Sequence, residues 1–260
     1  MNLAIIISAL GENLHKIENW ISSDILEKTN EVIIVIQKSK SFESKIKKLE
    51  EIGCKVFVDN KIGLSRSRNI GIKNCNSDFF WILDDDVYTD SNMIEHILIE
   101  IQSKKADIYT FRISRNKSHS VMYKKYSSIS KVSKLRLLKT SSIELVISKK
   151  MIDKYNIIFN ENFGLGSKYP MCEENLFLLD CYIKKMKIIH IPKVVVIHED
   201  ISSGYGNISN KALIAKGYVC QKFGILGFLL ILRWYIRIIV KYQKISSIKY
   251  FIKGYKLKKI

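Results

Sequence analysis

Three consecutive aspartates, Asp84, Asp85 and Asp86, follow the apolar run Phe79–Leu83. Such a run is typical of a buried strand, and open α/β sheets bind ligands at the carboxyl ends of their strands. Alternation along an extended chain would place Asp84 and Asp86 on one side and Asp85 on the other. Adjacent carboxylates repel one another unless a cation or hydrogen-bond donors lie among them. The pattern indicates either a site for Mg²⁺ or Mn²⁺ with substrate phosphates, or an acidic turn that caps a helix beginning near Ser91.

A second acidic pair, Glu173 and Glu174, stands at the predicted start of a helix, after a loop that contains Gly164 and Gly166. A carboxylate in this place can act as general base on an acceptor hydroxyl. Acidic residues in the first turn also stabilise a helix through its dipole. The pair alone does not separate these two roles.

Two further segments carry groups that can bind a ligand. His198 follows the apolar run Val194–Ile197, and its imidazole can complete a metal site or serve as a structural hydrogen-bonding group. The segment Gly63–Ile72 begins with small and polar residues and contains Arg66 and Arg68. A helix N-terminus with arginines suits a diphosphate, although two arginines can equally form a solvated helix face.

The elements that must position these residues alternate between strand and helix over residues 1–110, which predicts βαβ units and a mainly parallel sheet. The predicted strands are Leu3–Ala9, Glu31–Ile36, Cys54–Val58 and Phe79–Leu83. The predicted helices are Leu14–Lys28, Ser44–Ile52, Leu64–Lys73 and Asn92–Gln102.

The pattern changes after residue 107. Further strands are predicted at Ile108–Ile113, Ile143–Ser148 and Val194–Ile197, and a loop followed by a helix at Phe159–Tyr182. The stretch 114–142 is polar, basic and serine-rich, so part of it is expected to be a mobile loop. From Lys211 onward the chain is expected to be helical.

Composition restricts the class of protein. The 260 residues are 47% hydrophobic, which is enough for one large α/β domain or one domain with an appendage. The five cysteines form no CxxC pair, so neither a disulfide framework nor a zinc site is expected. The cysteine pattern instead favours a protein of the reducing cytoplasm. The apolar N-terminal run lacks a preceding basic region, which favours a first strand over a signal peptide. No apolar run reaches the roughly 18 residues of a spanning helix.

The net charge of +18 is concentrated in two segments. Residues 211–260 contain twelve Lys or Arg and no Asp or Glu, and residues 112–150 contain eleven Lys or Arg against the single acid Glu144. The second segment can face a pyrophosphate, close over a donor, or simply be solvated. Because the basic segments flank an acidic half, the charge does not favour a nucleic-acid-binding protein.

The C-terminal segment contains basic residues at nearly every fourth position, at Arg233, Arg237, Lys241 and Lys244. Apolar and aromatic residues fill the positions between them. This pattern favours a helix lying in an anionic membrane surface. A helix packed on the domain, with its basic side in solvent, is the alternative.

Taken in order, these motifs resemble family 2 glycosyltransferases, which have the GT-A fold. The resemblance rests on Gly63–Gly71 as a Gly-x-Ser-x-x-Arg-Asn-x-Gly segment, Asp84–Asp86 as an Asp-x-Asp motif, and Glu173-Glu174 as the later acidic pair. The resemblance covers residues 1–205. The sequence of Phe159–Leu178 is similar to the corresponding segment of bacterial surface-polysaccharide (O-antigen or capsule) transferases.

The resemblance implies roles for these residues in an inverting transfer. Asp84 and Asp86 would bind a Mn²⁺ or Mg²⁺ ion with the diphosphate, and His198 would join that metal site. Glu174 would be the catalytic base, supported by Glu173.

It also implies contacts to the nucleotide-sugar donor. Arg68, Asp84 and Asp85 would lie near it. The family's usual acids after the second strand are replaced by Ile36-Gln-Lys-Ser39, so recognition of the nucleoside base is assigned to Ser8, Gln37 or Asp59. These departures leave uridine as a family default only.

The sequence therefore predicts an α/β protein with a Rossmann-like, mostly parallel sheet and a C-terminal amphipathic helical segment. Residues 1–208 would form the GT-A domain, with a donor half at 1–110 and an acceptor half at 111–208, and residues 209–260 a membrane-associating tail. The predicted activity is transfer from a nucleotide-sugar, by default a UDP-sugar, to a glycan acceptor at the inner face of the cytoplasmic membrane. The resemblance implies that this acceptor is lipid-linked. A basic nucleic-acid-binding protein and an inactive binding module are the alternatives.

Overall fold

A seven-stranded sheet runs through the centre of the molecule. The structure, a computed structural model, describes residues 1–37, 42–199, 208–242 and 245–258. Lys38, Ser39 and Lys244, all named above, lie outside these residues. The strands are β1 (Leu3–Leu10), β2 (Glu31–Gln37), β3 (Lys55–Asp59), β4 (Phe79–Asp84), β5 (Ile108–Ser114), β6 (Leu145–Ser148) and β7 (Ile188–Ile197).

The strand order is β3-β2-β1-β4-β6-β5-β7. Neighbours from β3 to β4 are parallel, as are β5 and β7, whereas β6 is antiparallel to both β4 and β5. This mixed but mostly parallel sheet confirms the predicted α/β class. In the pairing of β1 with β4, Ser8 stands opposite Asp84, so both strands end at the same edge.

Helices cover both faces of the sheet, which explains why β1 is apolar at nearly every position. They are α1 (Leu14–Glu18), α2 (Ser23–Lys28), α3 (Glu43–Glu51), α4 (Leu64–Lys73), α5 (Ser91–Ser103), α6 (Lys149–Tyr155), α7 (Glu173–Ile183), α8 (Asn210–Gln221), α9 (Leu226–Tyr242) and α10 (Ser247–Tyr255). Ile5 belongs to one core with Ile97 of α5, while its neighbour Ile6 belongs to the other core with Leu178 of α7.

Helix α4 lies unusually close to the sheet. A Cβ atom on Gly71 would stand 2.3 Å from Cγ2 of Ile6 and 3.6 Å from Cγ2 of Val35. Only a residue without a side chain allows this approach. The contact fixes the distance between α4 and the strands one turn beyond Arg68.

Two predicted elements differ from the structure, and one observed helix has no predicted counterpart. The expected helix Leu14–Lys28 is two short helices, because the chain turns at Trp20 and Ile21 to bury both side chains, and extended Ser22 then precedes α2. Strand β7 begins six residues earlier than predicted and continues through Pro192, and its register with β5 shifts near Arg112. Helix α6 was not predicted.

Part of the basic segment 112–150 is fastened to the sheet. The Tyr126 hydroxyl donates to Glu144 (3.2 Å) and accepts from the Ile113 amide (2.9 Å). Lys124 forms an ion pair with Glu144, whose residue surface is only 3% exposed. The buried carboxylate of Glu144 therefore holds the middle of this segment against β5. At least one basic side chain of the segment, Lys124, is paired with protein rather than simply solvated.

The C-terminal helices continue the main core. The Tyr218 ring of α8 stacks on Phe163 with ring centroids 5.2 Å apart. Backbones of α8 and α10 meet directly, since a Cβ on Gly217 would lie 2.1 Å from the Phe251 carbonyl oxygen. The predicted boundary at residues 208 and 209 thus precedes a helix that shares the core of the sheet domain. No helix in the described ranges has both the length and the apolar character needed to cross a bilayer.

Candidate active site

The carboxyl ends of β1, β2 and β4 open into a cavity of about 550 Å³. Nine of the ten predicted site residues line it, and they come from widely separated parts of the chain. They are Ser8, Gln37, Arg68, Asp84, Asp85, Asp86, Glu173, Glu174 and His198. Asp59 is the exception. Its carboxylate accepts hydrogen bonds from Arg66 Nε (2.6 Å) and the Lys61 amide (3.1 Å) outside the cavity lining.

The three consecutive aspartates have three different partners. Asp84 Oδ1 accepts from Arg68 Nη2 at 2.9 Å. Asp85 Oδ2 accepts from the Leu10 amide at 2.7 Å and from the Asn13 side chain. Asp85 therefore holds the end of β1, in addition to lining the cavity.

The third aspartate, Asp86, lies 3.5 Å from His198, measured between Oδ2 and Nε2. The helix that follows does not need these aspartates as a cap, because Asp90 accepts from the Met93 amide and caps α5 itself. This removes the structural alternative that the sequence left open for the acidic run.

The same environment shifts the pKa values of the three aspartates differently. Loss of water raises the pKa of Asp84, an effect that Arg68 opposes and the charge of Asp86 increases. Burial also raises the pKa of Asp85, against its bond from the Leu10 amide. The hydrogen bond with His198 lowers the pKa of Asp86, so this carboxylate is the one held most firmly in its ionised form.

Arg68 lies at the centre of the site with 1% of its surface exposed. Its guanidinium donates to Asp84, to Glu173 Oε1 at 3.1 Å and to the Ser142 hydroxyl at 2.8 Å. Burial acts to lower the pKa of Arg68, but the surrounding carboxylates raise it overall, so the side chain stays charged. Arg68 therefore joins the two acidic clusters. The sequence analysis predicted an arginine that faces either solvent or the diphosphate, and did not predict this link.

A tight loop delivers the glutamates to the cavity. Gly164 and Gly166 have φ values of 102° and 78°, which favour glycine. Ser65 Oγ of α4 donates to the Phe163 carbonyl at 2.6 Å, so the loop is bound to the helix that carries Arg68. Cys172 then adopts a left-handed conformation (φ 74°) immediately before α7.

The two glutamates at the start of α7 have different surroundings. Glu173 is bound by Arg68, whereas Glu174 faces the cavity and is partly exposed there. Burial, with the nearby charge of Glu173 as the next cause, raises the pKa of Glu174 to about 8. A carboxyl group with such a pKa can take up and release a proton near neutral pH.

Two residues near the ends of β1 and β2, Ser8 and Gln37, also reach the cavity. Ser8 is 4% exposed, and its hydroxyl has no hydrogen-bond partner among the described residues, which leaves it available to a ligand. Gln37 Oε1 accepts from the Gly63 amide at 2.7 Å and so ties β2 to the start of α4.

Sequence reasoning did not identify other residues of the cavity wall, among them Tyr123 and Ser142. Tyr123 lies beside His198, with ring centroids 5.2 Å apart, and Ser142 accepts from Arg68. Both lie in or next to the serine-rich basic stretch, which gave no periodic signal. An isolated tyrosine in a basic loop and a serine just before β6 are weak clues.

The described part of the cavity contains some, but not all, of the side-chain ligands that a divalent cation needs. Within the described ranges, no group of three or more His, Cys, Asp or Glu side chains is arranged to hold a metal. Asp86 and His198 nevertheless place an oxygen and a nitrogen 3.5 Å apart, beside Asp84. Mg²⁺-type sites commonly use one or two carboxylates with phosphates and water, so this pair fits a cation that arrives with a diphosphate.

The sequence comparison identifies one family. The family model described as glycosyl transferase family 2 matches residues 5–164, more than half of the chain. No curated protein matches this sequence.

Several solved structures share the fold. S. aureus TarS 1-349 in complex with UDP-GlcNAc has a TM-score of 0.64 and 16% identity, with 85% of this chain and 66% of that chain covered. S. aureus TarS gives a TM-score of 0.69 and 15% identity, covering 98% of this chain and 49% of that one. The mannosyltransferase PcManGT from Pyrobaculum calidifontis, in complex with GDP-Man and Mn²⁺, gives 0.57 and 10%, with 97% and 85% covered. At these identities the likeness is one of fold.

Proposed function

The chain belongs to glycosyl transferase family 2 and has the GT-A fold, and from this premise we propose that it is an inverting enzyme that moves a sugar from a nucleotide-sugar to a glycan acceptor. The observation that carries the proposal is that Asp84, Asp86 and Glu174 line one cavity, with Arg68 bonded to Asp84 and to Glu173. One cluster suits a diphosphate with its cation, and the other suits an acceptor hydroxyl.

The donor would lie along the ends of β1, β2 and β4. Ser8 and Gln37 are assigned to the nucleoside, and Asp84 and Asp85 to the donor near its diphosphate. Arg68 acts through Asp84, because its Nη1 and Nη2 already donate to Glu173, Asp84 and Ser142. Asp59 is left out of the donor contacts, since its carboxylate is bound by Arg66 and does not line the cavity.

Asp86 and His198 would hold a divalent cation, Mn²⁺ or Mg²⁺, together with Asp84. Such an ion stabilises the negative charge that develops on a departing nucleoside diphosphate. Support comes from the lowered pKa of Asp86, which keeps this ligand ionised, and from the fold likeness to a mannosyltransferase that binds GDP-Man and Mn²⁺.

Glu174 would be the general base. It takes the proton of the acceptor hydroxyl as the acceptor oxygen bonds to the anomeric carbon, while the bond from that carbon to the diphosphate breaks. One displacement inverts the anomeric configuration. Glu173 supports the base by raising its pKa and by anchoring the start of α7 to Arg68.

The acceptor is proposed to be a lipid-linked glycan of a bacterial surface polysaccharide, used at the inner face of the cytoplasmic membrane. A hexose or N-acetylhexosamine from a UDP-sugar is the first donor to examine. The TarS complex with UDP-GlcNAc and the PcManGT complex with GDP-Man show that this fold accommodates both nucleosides.

The test is donor binding and hydrolysis by the purified protein, with Mn²⁺ and with a chelator. We expect Asp86→Ala to weaken Mn²⁺-dependent donor binding about 100-fold, since a cation on a diphosphate contributes several kcal/mol. Titration calorimetry with UDP-GlcNAc and GDP-Man measures the change. Asp153→Ala, at an exposed position on α6, is the matched control. Intact metal-dependent binding in Asp86→Ala would refute the metal assignment.

A further inference from the structure

Helix α9 has one face that is fixed by packing. Gly227, Ile231 and Ile238 are buried against the neighbouring helices. A Cβ atom on Gly227 would lie 2.1 Å from the Cys220 carbonyl oxygen at the end of α8, so the backbones are in contact. The inner side of α9 therefore has no freedom to turn outward.

The opposite face of α9 is apolar and exposed. Four aliphatic residues, spaced three or four positions apart, form one stripe along the helix, which we call the outward stripe. They are Leu229 (63% exposed), Leu232 (52%), Ile236 (52%) and Val240 (79%), and Ile225 (84%) lies in the turn just before the helix. A continuous exposed apolar stripe of this length is typical of an interaction surface.

A row of positive charge flanks the outward stripe. Arg233, Arg237 and Lys241 follow one another at intervals of four, and each stands one position after a member of the stripe, about 100° around the helix. Residues 211–260 contain no acidic side chain. The complementary partner is therefore apolar within and negatively charged at its surface, as a bilayer with anionic headgroups is. A second copy of this chain would oppose one basic row with another.

Trp234 contributes less to the exposed face of α9 than the sequence pattern indicates. Trp234 packs toward α10, with its ring centroid 6.5 Å from that of Phe251. The aliphatic residues, not Trp234, point away from the protein.

We propose that the outward stripe of α9 inserts into the headgroup boundary of an anionic bilayer, with the helix lying in the plane of the surface. The proposal deepens the membrane location suggested with the proposed function by assigning the surface that makes the contact. Because α9 packs on α8, and α8 packs on the core beside the glutamate loop through Tyr218 and Phe163, docking gives the cavity a fixed orientation to the membrane.

Vesicle co-sedimentation of the full chain, without donor or acceptor, tests this surface. Vesicles of phosphatidylcholine with phosphatidylglycerol are compared with phosphatidylcholine alone. We expect the triple variant Leu229→Ser, Leu232→Ser, Ile236→Ser to lower the partition coefficient at least about 100-fold, because each buried aliphatic side chain contributes substantially. Unchanged binding would overturn the proposal.

The charge row is tested separately. Arg233→Gln, Arg237→Gln and Lys241→Gln together should lower binding to the anionic vesicles on the order of 100-fold, at roughly fivefold for each residue. Binding to phosphatidylcholine alone should not change. Equal loss on both vesicle types would contradict the assignment to anionic lipid.

Matched controls lie elsewhere on the surface. Ile52→Ser, Ile99→Ser and Ile158→Ser remove the same number of exposed aliphatic residues outside α9 and should bind like the parent. If these controls lose binding equally, the contact is not specific to the outward stripe and the proposal fails.

Two further measurements separate this proposal from its competitors. Light scattering reports whether the stripe variant changes the oligomeric state. A dimer in the parent that becomes a monomer, with vesicle binding retained, would reassign the stripe to self-association. Donor binding is measured on the same samples, so a failure of sugar-nucleotide binding and a failure of membrane docking are distinguishable.

Discussion

The two acidic clusters of the cavity differ although they use the same chemical group. Asp84 ends β4 and Asp85 and Asp86 follow it, whereas Glu173 and Glu174 open α7. Both clusters touch Arg68, through Asp84 and through Glu173. Yet His198 lowers the pKa of Asp86, while burial and a like charge raise that of Glu174.

The difference shows how neighbours divide the work among carboxylates. A carboxylate with a lowered pKa stays ionised and suits a cation, whereas one with a raised pKa suits proton transfer. Sequence alone presents both clusters as runs of acids. The partner of each side chain decides which role it can take.

The strongest challenge to this division is Glu174→Gln. Removing the base should lower the rate of transfer on the order of 10³-fold, while donor binding stays near that of the parent. Transfer assays with a lipid-linked acceptor and calorimetry with the donor measure the two effects. Glu173→Gln is the control and should lose less.

If Glu174→Gln keeps near-parental transfer and Glu173→Gln loses it, the base is Glu173. If both variants are active, neither glutamate is the base and the division of roles fails on this side of the cavity.

Arg68→Met tests the connection between the clusters. Removing the guanidinium leaves Asp84 and Glu173 without their shared partner, and breaking a buried pair in this way costs about 3–5 kcal/mol of folding free energy. Urea unfolding measures the loss. Arg66→Met, which removes the more exposed partner of Asp59, should cost much less. Similar losses in both variants would show that Arg68 is not a special link.

The pH dependence of transfer sharpens the comparison with a smaller effect. Glu174 accepts a proton only when ionised, and its pKa is raised to about 8, so it keeps its proton below that pH. We expect kcat/KM to rise about tenfold per pH unit up to about pH 8 and then to level. Glu173→Gln removes a like charge and should move the midpoint to lower pH. A midpoint that does not move would exclude Glu173 as a cause of the shift.

Much of the sheet could be predicted from local sequence. The runs of β1, β2 and β4 are almost continuously apolar, whereas a half-buried strand alternates apolar and polar residues. The observed bounds of these strands lie within one or two residues of the prediction. The insertion of antiparallel β6 between β4 and β5 could not be predicted, because strand order depends on tertiary contacts. Helices α1 and α2 were merged, since burial of Trp20 and Ile21, rather than a Gly or Pro, ends the first one.

The composition of the site was more predictable than its connections. Nine predicted residues line the cavity, and most of them lie near the end of a strand or the start of a helix, which motifs reveal. The burial of Arg68 was not visible, since it depends on Ser142 and Glu173, 74 and 105 positions away. Asp59 has the same chemistry as the other acids, but its carboxylate is bound by Arg66 and the Lys61 amide and does not line the cavity.

Gly71 contacts none of the groups assigned to chemistry, yet it restricts how this site can be redesigned. Since Ile6 occupies the place of its missing side chain, even alanine would push α4 from the sheet, and the guanidinium one turn earlier would move with it. A mutagenesis library aimed at new sugar specificity should therefore vary the cavity wall and keep Gly71 constant. The side chain that fits at this position is limited by a methyl group of β1 rather than by any substrate.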